Sequence, residues 1–146
     1  MNDAPILLIE DNPDDVMLTM RAFAQNTIAN KIVVASDGAA GLAHLLPEDG
    51  SEPLHPAVIL LDLNLPKISG LELLRLIRAN PRTQALPVVV LTTSAEERDI
   101  VESYRLGANS FVRKPVVFTE FVEATRVLGM YWLLFNQPPP LPGGRS

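Results

Sequence analysis

Five polar side chains stand at the ends of apolar segments, and their types suit phosphoryl transfer. They are Glu10, Asp11, Asp62, Thr92 and Lys114. Three carboxylates held close together repel one another and therefore call for a cation, and hard oxygen ligands favour Mg²⁺. A carboxylate such as that of Asp62 can act as a nucleophile and form an acyl phosphate. A hydroxyl and an amine can bind the phosphoryl oxygens, since this chemistry depends mainly on positioning and charge.

Taken singly, each of these residues is an ordinary structural one. An aspartate at a strand end usually caps a helix or belongs to a loop, a threonine is a common strand residue, and a lysine before proline is usually solvated. The joint occurrence of the set at the ends of four strands favours the chemical interpretation.

The elements that must position these residues alternate along the chain. Continuous apolar runs predict buried strands at 6–9, 31–35, 58–61, 88–91 and 109–113. Helical spacing predicts helices over 13–26, 37–46, 69–79, 95–106 and 118–135, with Asn12 as an N-cap, Pro13 in the first turn and Gly107 as a C-cap. This βα alternation predicts an α/β fold with a parallel sheet covered by helices on both faces. Function then collects at the carboxyl ends of the strands.

Composition limits the classes of protein and site. The chain has 146 residues, a net charge of −5 and no cysteine. The acidic balance argues against nucleic acid as a partner, and the missing thiols exclude disulfides and thiolate metal sites. No apolar run is long enough to span a membrane, and the N-terminus does not read as a secretory signal. We therefore expect a cytoplasmic protein of one domain.

At its polar strand ends the sequence resembles the receiver domain of bacterial response regulators. The match covers residues 4–129 and rests on the pair Glu10-Asp11, DLNLP at 62–66 with Gly70, VVVLT at 88–92, LGA at 106–108 and FVRKP at 111–115. Thr92 stands thirty positions after Asp62, and Lys114 stands twenty-two positions after Thr92, as in that family.

The resemblance implies a flavodoxin-like fold with five strands in the order 2-1-3-4-5 and five helices. It implies that Glu10, Asp11, Asp62 and the backbone carbonyl of Asn64 hold Mg²⁺. Asp62 would be the phosphoacceptor, supplied by a phosphohistidine on a sensor histidine kinase. Glu10 stands where an aspartate is also common, and its extra methylene could alter the geometry around Mg²⁺.

The same resemblance assigns roles near the last two strands. Thr92 and Lys114 would contact the phosphoryl group, Phe111 would be the switch aromatic residue, and the peptide bond between Lys114 and Pro115 would be cis. Thr93 offers a competing hydroxyl, but it alternates to the other side of the strand. Because Phe111 lacks a hydroxyl, its switch would act through ring packing alone.

The C-terminal region points to protein contacts as the output. We expect a receiver domain over 1–135 with an extended fifth helix, followed by a Pro-rich tail over 136–146, and no output domain. Apolar residues surround most of the end of that helix, which indicates either packing under the tail or an interface formed by Tyr131, Trp132, Leu134 and Phe135. This ending resembles the small response regulators that partner bacterial phytochromes, and the resemblance implies a homodimer formed through the C-terminal helix and the tail.

Three other functions compete with this interpretation. A small-molecule phosphatase with an aspartate nucleophile would carry a second aspartate where Asn64 stands. A nucleotide-binding domain would need a glycine-rich turn after a strand, and none is present. A pseudo-receiver that is never phosphorylated would act purely as an interaction module. We expect no enzymatic activity beyond Mg²⁺-dependent autophosphotransfer and slow autodephosphorylation.

Overall fold

Five strands alternate with five helices along the chain. The computed structural model describes residues 3–93, 96–115 and 117–140. The elements are β1 (Ile6–Ile9), α1 (Pro13–Gln25), β2 (Ile32–Ala35), α2 (Gly38–Leu45), β3 (Val58–Leu61), α3 (Gly70–Ala79), β4 (Val88–Thr92), α4 (Glu97–Arg105), β5 (Ser110–Arg113) and α5 (Phe118–Gly129). The predicted element order is confirmed. Ala95, the predicted start of the fourth helix, and tail residues 141–146 lie outside the described residues.

The strands form one parallel sheet in the order β2-β1-β3-β4-β5, which confirms the implied topology. All residues of β1, β3 and β4 are buried, while β2 and β5 form the partly exposed edges. The continuous apolar runs therefore predicted the central strands correctly, because both faces of these strands are covered by helices. Among the described residues, no helix combines the length and apolar character that crossing a membrane requires.

Side-chain caps set where three helices begin. The side chain of Asn12 accepts hydrogen bonds from the backbone of Asp14 and Asp15 at the start of α1, as predicted. Asp37 and Ser69 cap α2 and α3 in the same way. Both were predicted as the first helical residue, so these two boundaries shift by one position. The caps fix the turns that follow β1, β2 and β3.

Arg78, near the end of α3, is hydrogen-bonded to the segments that precede β4 and β5. Its guanidinium donates hydrogen bonds to the backbone oxygens of Gly107 at 2.9 Å and Leu86 at 2.7 Å, and to Oδ1 of Asn109 at 2.9 Å. The same Oδ1 of Asn109 accepts from the amide of Val88 at 2.8 Å. Leu106 is the C-cap of α4, and Gly107, predicted as the C-cap, is the next residue, with a φ of 100° in the left-handed conformation that suits glycine. These bonds hold the α4–β5 turn against the end of α3 and the start of β4.

The end of the chain differs from the single helix predicted over 118–135. The α-helix ends at Gly129, and a π-helical segment over Met130–Phe135 continues it. Trp132 and Leu133 from this segment are buried against the sheet, beside residues such as Ile6 and Leu8 of β1. Trp132 is only 7% exposed, so its assignment to an interface is wrong: this indole completes the core of its own chain.

Candidate functional site

The sheet register brings the predicted site residues to one edge. The amide of Glu10 donates to the carbonyl of Ala35 at 3.0 Å, and the amide of Asp62 donates to the carbonyl of Ile9 at 3.1 Å. At the other side of the sheet, the amide of Lys114 donates to the carbonyl of Thr92 at 2.8 Å. These hydrogen bonds continue the strand ladders by one residue, so the side chains project from adjacent strand ends.

Three carboxylates form a cluster at this edge. Oxygen atoms of Glu10, Asp11 and Asp62 all lie within 4.8 Å of one another. Glu10 is 2% exposed and Asp62 is 8% exposed, whereas Asp11 faces solvent. Buried carboxylates at this spacing are unfavourable unless a positive charge compensates them. A donor set of hard oxygens that is open to solvent on one side fits a divalent cation of the Mg²⁺ type.

Lys114 supplies positive charge to the cluster in this structure. Its amine donates hydrogen bonds to Glu10 and, at 3.3 Å, to Asp15, and it lies 3.8 Å from an oxygen of Asp62. The expected cis bond before Pro115 is wrong, since none of the peptide bonds described is cis. The amine reaches the carboxylates from a trans backbone, because the long lysine side chain spans the distance.

The electrostatics of the site follow from burial. Desolvation, together with the hydrogen bond and the charge of Asp62, raises the pKa of Glu10 from 4.5 to about 7, although Lys114 opposes this shift. Desolvation lowers the pKa of the Lys114 amine, but the hydrogen bond to Glu10 and the nearby carboxylates outweigh it and raise that pKa. The site is therefore short of positive charge even with Lys114 in place.

The loop after Asp62 packs tightly against the strand end. The amide of Asn64 donates to Oδ1 of Asp62 at 3.3 Å, and the amide of Gly70 donates to the carbonyl of Leu63 at 3.0 Å. A Cβ atom at Gly70 would lie 2.5 Å from the Cα of Leu63 and closer still to the carbonyl oxygen of Asp62. Only glycine fits there. Asn64 itself is exposed beside the cluster, and the role of its carbonyl as a metal ligand stays a prediction.

Thr92 and Phe111 occupy the positions that the sequence predicted. Thr92 is the last residue of β4 and is fully buried, whereas Thr93 is exposed, so the two hydroxyls do lie in different environments. Phe111 is half-buried and packs against the main hydrophobic core. Its backbone amide donates to the hydroxyl of Tyr104 on α4 at 3.2 Å. The strand β5, which carries Phe111, is thus linked directly to α4.

Two residues that contact the site, Asp15 and Tyr104, are not among those predicted from the sequence. Asp15 lies in the first turn of α1, and its carboxylate accepts a hydrogen bond from the Lys114 amine at 3.3 Å. No spacing in the sequence indicates this contact, because Asp15 and Lys114 lie 99 positions apart in the chain. The position of Tyr104 likewise gives no indication of its contact with a backbone amide.

Comparison with known proteins now identifies the family. A model of the response regulator receiver domain matches residues 6–126. The chain belongs to the response regulator receiver domain family. It is a response regulator of the two-component type, and the carboxylate cluster lies at the strand ends where the sequence predicted the phosphoacceptor site.

Two curated relatives match this receiver domain over most of their length. A probable methanogenesis regulatory protein, FilR2, from Methanothrix harundinacea is 40% identical over 134 residues, which cover 92% of this chain and 86% of FilR2. Response regulator Rcp1 from Synechocystis is 37% identical, and the alignment covers 88% of each chain.

Two solved structures show the same architecture. The Mn²⁺-bound form of Rcp1 superposes with a TM-score of 0.85 at 36% identity, covering 93% of this chain and 99% of that one. The bacteriophytochrome response regulator RtBRR gives a TM-score of 0.74 at 46% identity, covering 99% of this chain and 87% of that one. The receiver domain is thus similar to small response regulators, including one solved with a divalent cation.

Proposed function

We propose that Asp62 accepts a phosphoryl group from a sensor histidine kinase, with Glu10, Asp11, Asp62 and the carbonyl of Asn64 holding Mg²⁺. The observation that carries this proposal is the buried carboxylate of Asp62, which lies with two further carboxylates within 4.8 Å and with the Lys114 amine at 3.8 Å. The site therefore combines a carboxylate nucleophile, Asp62, with a nearby amine, Lys114, that can bind the phosphoryl oxygens.

The chemistry needs only these side chains and the bound cation. Mg²⁺, when present, offsets the negative charge of the carboxylates and of the incoming phosphoryl group. An oxygen of Asp62 attacks the phosphorus of a phosphohistidine, the phosphorus–nitrogen bond breaks, and the imidazole leaves with the bonding electrons. Lys114 then exchanges its contact with Glu10 for a phosphoryl oxygen, and the hydroxyl of Thr92 donates to another.

In this proposal, phosphorylation of Asp62 transmits the signal by changing the surface through which the receiver domain contacts other proteins. Movement of Thr92 toward the phosphoryl group would open space that the ring of Phe111 fills. Because the amide of Phe111 is bound to Tyr104, this movement reaches α4 and changes the surface formed by α4, β5 and α5. Partner contacts or dimer contacts would then change with phosphorylation.

The proposed kinase partner is a bacteriophytochrome. Support comes from the similarity to RtBRR, described as a bacteriophytochrome response regulator, and to RcpA, described as a phosphorylated cyanobacterial phytochrome response regulator. We place the reaction in the cytoplasm, because phosphohistidine is formed from ATP.

We also propose that the receiver domain forms a homodimer through the end of α5. The π-helical segment exposes Tyr131, Leu134 and Phe135, and the last of these is 69% exposed. Large apolar and aromatic side chains that are exposed together favour a protein interface. With Trp132 in the core, these three side chains carry the interface that the sequence predicted.

Phosphorylation without a kinase tests the central proposal. The protein is incubated with Mg²⁺ and phosphoramidate, a small donor with a phosphorus–nitrogen bond, and its intact mass is measured. We expect one phosphoryl adduct on the native chain and on an Asp49→Asn control, but none on Asp62→Asn or after removal of Mg²⁺ with EDTA. Equal phosphorylation of Asp62→Asn would overturn the assignment, and no adduct on the native chain would favour the pseudo-receiver.

A further inference from the structure

A second concave surface lies away from the carboxylate cluster, between α2 and the loop that leads to β3. This groove encloses about 750 Å³, which is large enough for several side chains. Its lining is largely apolar, with contributions from Ala39, Leu42, Ala43, Leu54 and Ile68. None of these residues takes part in the proposed phosphoryl chemistry.

Hydrogen bonds shape the outer wall of the groove. The amide of Leu54 donates to the carbonyl of His44 at 2.8 Å, which folds the loop back onto the end of α2. At the tip of the loop, the amide of Ser51 donates to Oδ1 of Asp49 at 2.9 Å, and Gly50 adopts a φ of 85°. The groove is therefore built by a defined loop conformation.

The rim of the groove is acidic. Glu48, Asp49 and Glu52 line it and are exposed, and the residues that line it include no lysine or arginine. Hydrogen bonds from Ser51 hold the pKa of Asp49 below its usual value, so this carboxylate is charged at neutral pH. None of the three carboxylates has a cationic partner among the ion pairs of the described residues. An apolar floor inside a polar rim is the usual anatomy of a protein interface.

We propose that this groove binds a basic amphipathic segment of a partner protein, with apolar side chains on the floor and Lys or Arg side chains at the rim. Charge complementarity points to this class of partner, because the residues that line the groove include three carboxylates, one histidine and no lysine or arginine. A second copy of this chain fits less well, since its net charge of −5 would be brought against a rim of the same sign.

The groove also reaches the loop that follows Asp62. Ile68 belongs to that loop and lines the groove. It packs closely against Gly38 of α2, because a Cβ atom added to Gly38 would lie only 2.9 Å from the Cβ of Ile68. Beside it, Lys67 forms an ion pair with Asp37 at 3.4 Å. A bound segment would touch the phosphoacceptor loop without covering the acceptor. The proposal goes beyond the function proposed above and holds whether or not Asp62 is phosphorylated.

Selection of peptides from an unbiased library tests the class of partner. Random twelve-residue peptides displayed on phage are selected on the native full-length chain, and the enriched peptides are synthesised. Their affinities are measured for the native chain, for a triple variant (Glu48→Lys, Asp49→Lys, Glu52→Lys) and for Ala43→Arg, which places a long cationic side chain on the floor. A control triple variant (Glu72→Lys, Glu97→Lys, Glu120→Lys) changes net charge equally on other surfaces. Circular dichroism establishes that each variant is folded.

We expect enriched peptides that combine apolar residues with Lys or Arg. Their affinity should fall about tenfold or more for the rim triple variant and for Ala43→Arg, but by no more than about threefold for the control. Amide NMR shifts should change at 39–54. Failure to enrich peptides, enrichment of acidic peptides, or binding unaffected by the rim changes would overturn the proposal. If the same amide NMR shifts change when the chain self-associates, the groove binds a second copy of the chain. If they change when residues 141–146 are deleted, the groove binds the tail. Either result would overturn the proposal.

Discussion

The amine of Lys114 at the end of β5 donates a hydrogen bond to the buried carboxylate of Glu10 at the end of β1. Two other strands, β3 and β4, lie between these elements in the sheet, so one ion pair spans most of the site. An oxygen of Asp62 lies 3.8 Å from the same amine. In the unphosphorylated receiver domain, Lys114 therefore acts as the counter-ion for carboxylates that a metal ion would otherwise compensate.

Replacing Lys114 by methionine should destabilise the metal-free protein. The variant leaves buried carboxylates without their cation, which costs about 3 kcal/mol, and added Mg²⁺ should restore more stability to the variant than to the native chain. Urea unfolding with EDTA or with Mg²⁺ measures both effects. Lys67→Met is the matched control, because the Lys67–Asp37 pair is exposed and its loss should change little. Equal losses in the two variants would contradict the role given to Lys114.

The stability of the metal-free protein should depend on the titration of Glu10. The folded chain raises the pKa of Glu10 from 4.5 to about 7, so the folded state holds this proton more tightly than the unfolded state. The associated stability is complete below about pH 4.5 and is lost as the pH rises through about 7, a change of roughly 1–3 kcal/mol. Urea unfolding in EDTA between these pH values should show the decline. Glu10→Gln should flatten it, and an unchanged slope in that variant would rule out Glu10 as its source.

Gly70→Ala should disturb the phosphoacceptor loop. The new methyl group would meet the backbone of Asp62 and Leu63, and backbone cannot move aside as a flexible side chain can. We expect a loss of about 1–3 kcal/mol in stability and slower phosphorylation by phosphoramidate. Ser69→Ala is the control, since it removes the N-cap bond to Glu72 without crowding the loop. If both variants are phosphorylated at the native rate, the close approach at Gly70 has no bearing on the chemistry.

Arg78→Lys should weaken the fold although it keeps the charge. A lysine cannot reproduce the planar set of donors that binds the oxygens of Gly107, Leu86 and Asn109. Oxygens left without a donor should cost about 2 kcal/mol, measured by urea unfolding. Arg75→Lys on the same helix alters only an exposed ion pair with Glu72 and should be near neutral. A neutral Arg78→Lys would show that solvent replaces these bonds without loss.

The dimer proposal predicts a concentration-dependent change in mass. Leu134→Ser combined with Phe135→Ser removes two exposed apolar side chains and should raise the dissociation constant about tenfold or more. Sedimentation equilibrium measures it directly. Met17→Ser is the control, because Met17 is 63% exposed on α1, away from the end of α5. Unchanged association of the double variant would place the interface elsewhere.

The sequence predicted most of the fold, and it predicted that the candidate site residues lie at one edge of the sheet, for a physical reason. Strand runs such as 58–61 are apolar throughout because both sheet faces are covered, and the polar residues that follow them, including Asp62, must meet at one edge. Asp37 and Ser69, predicted as the first residues of two helices, are N-caps instead, so α2 and α3 begin one position later than predicted. These patterns are local, and the sequence displays them directly.

What the sequence could not predict depends on long-range packing. The apolar run that contains Trp132 could face either a partner or its own core, and only the path of the π-helical segment decides that it is buried. The contact between Asp15 and Lys114, and the bonds made by Arg78, join residues far apart in the chain. Composition and spacing carry no information on such pairings.

The hydroxyl of Tyr104 affects how readily the edge of the sheet can aggregate. The strand β5 is an edge of the sheet, and an unpaired amide on such an edge can recruit a strand from another molecule and start a fibril. The Tyr104 hydroxyl accepts a hydrogen bond from the backbone amide of Phe111. A strand from another molecule would have to break this bond before it could pair with β5 at that position. This hydrogen bond makes the position of Phe111 on the β5 edge less able to recruit a strand from another molecule.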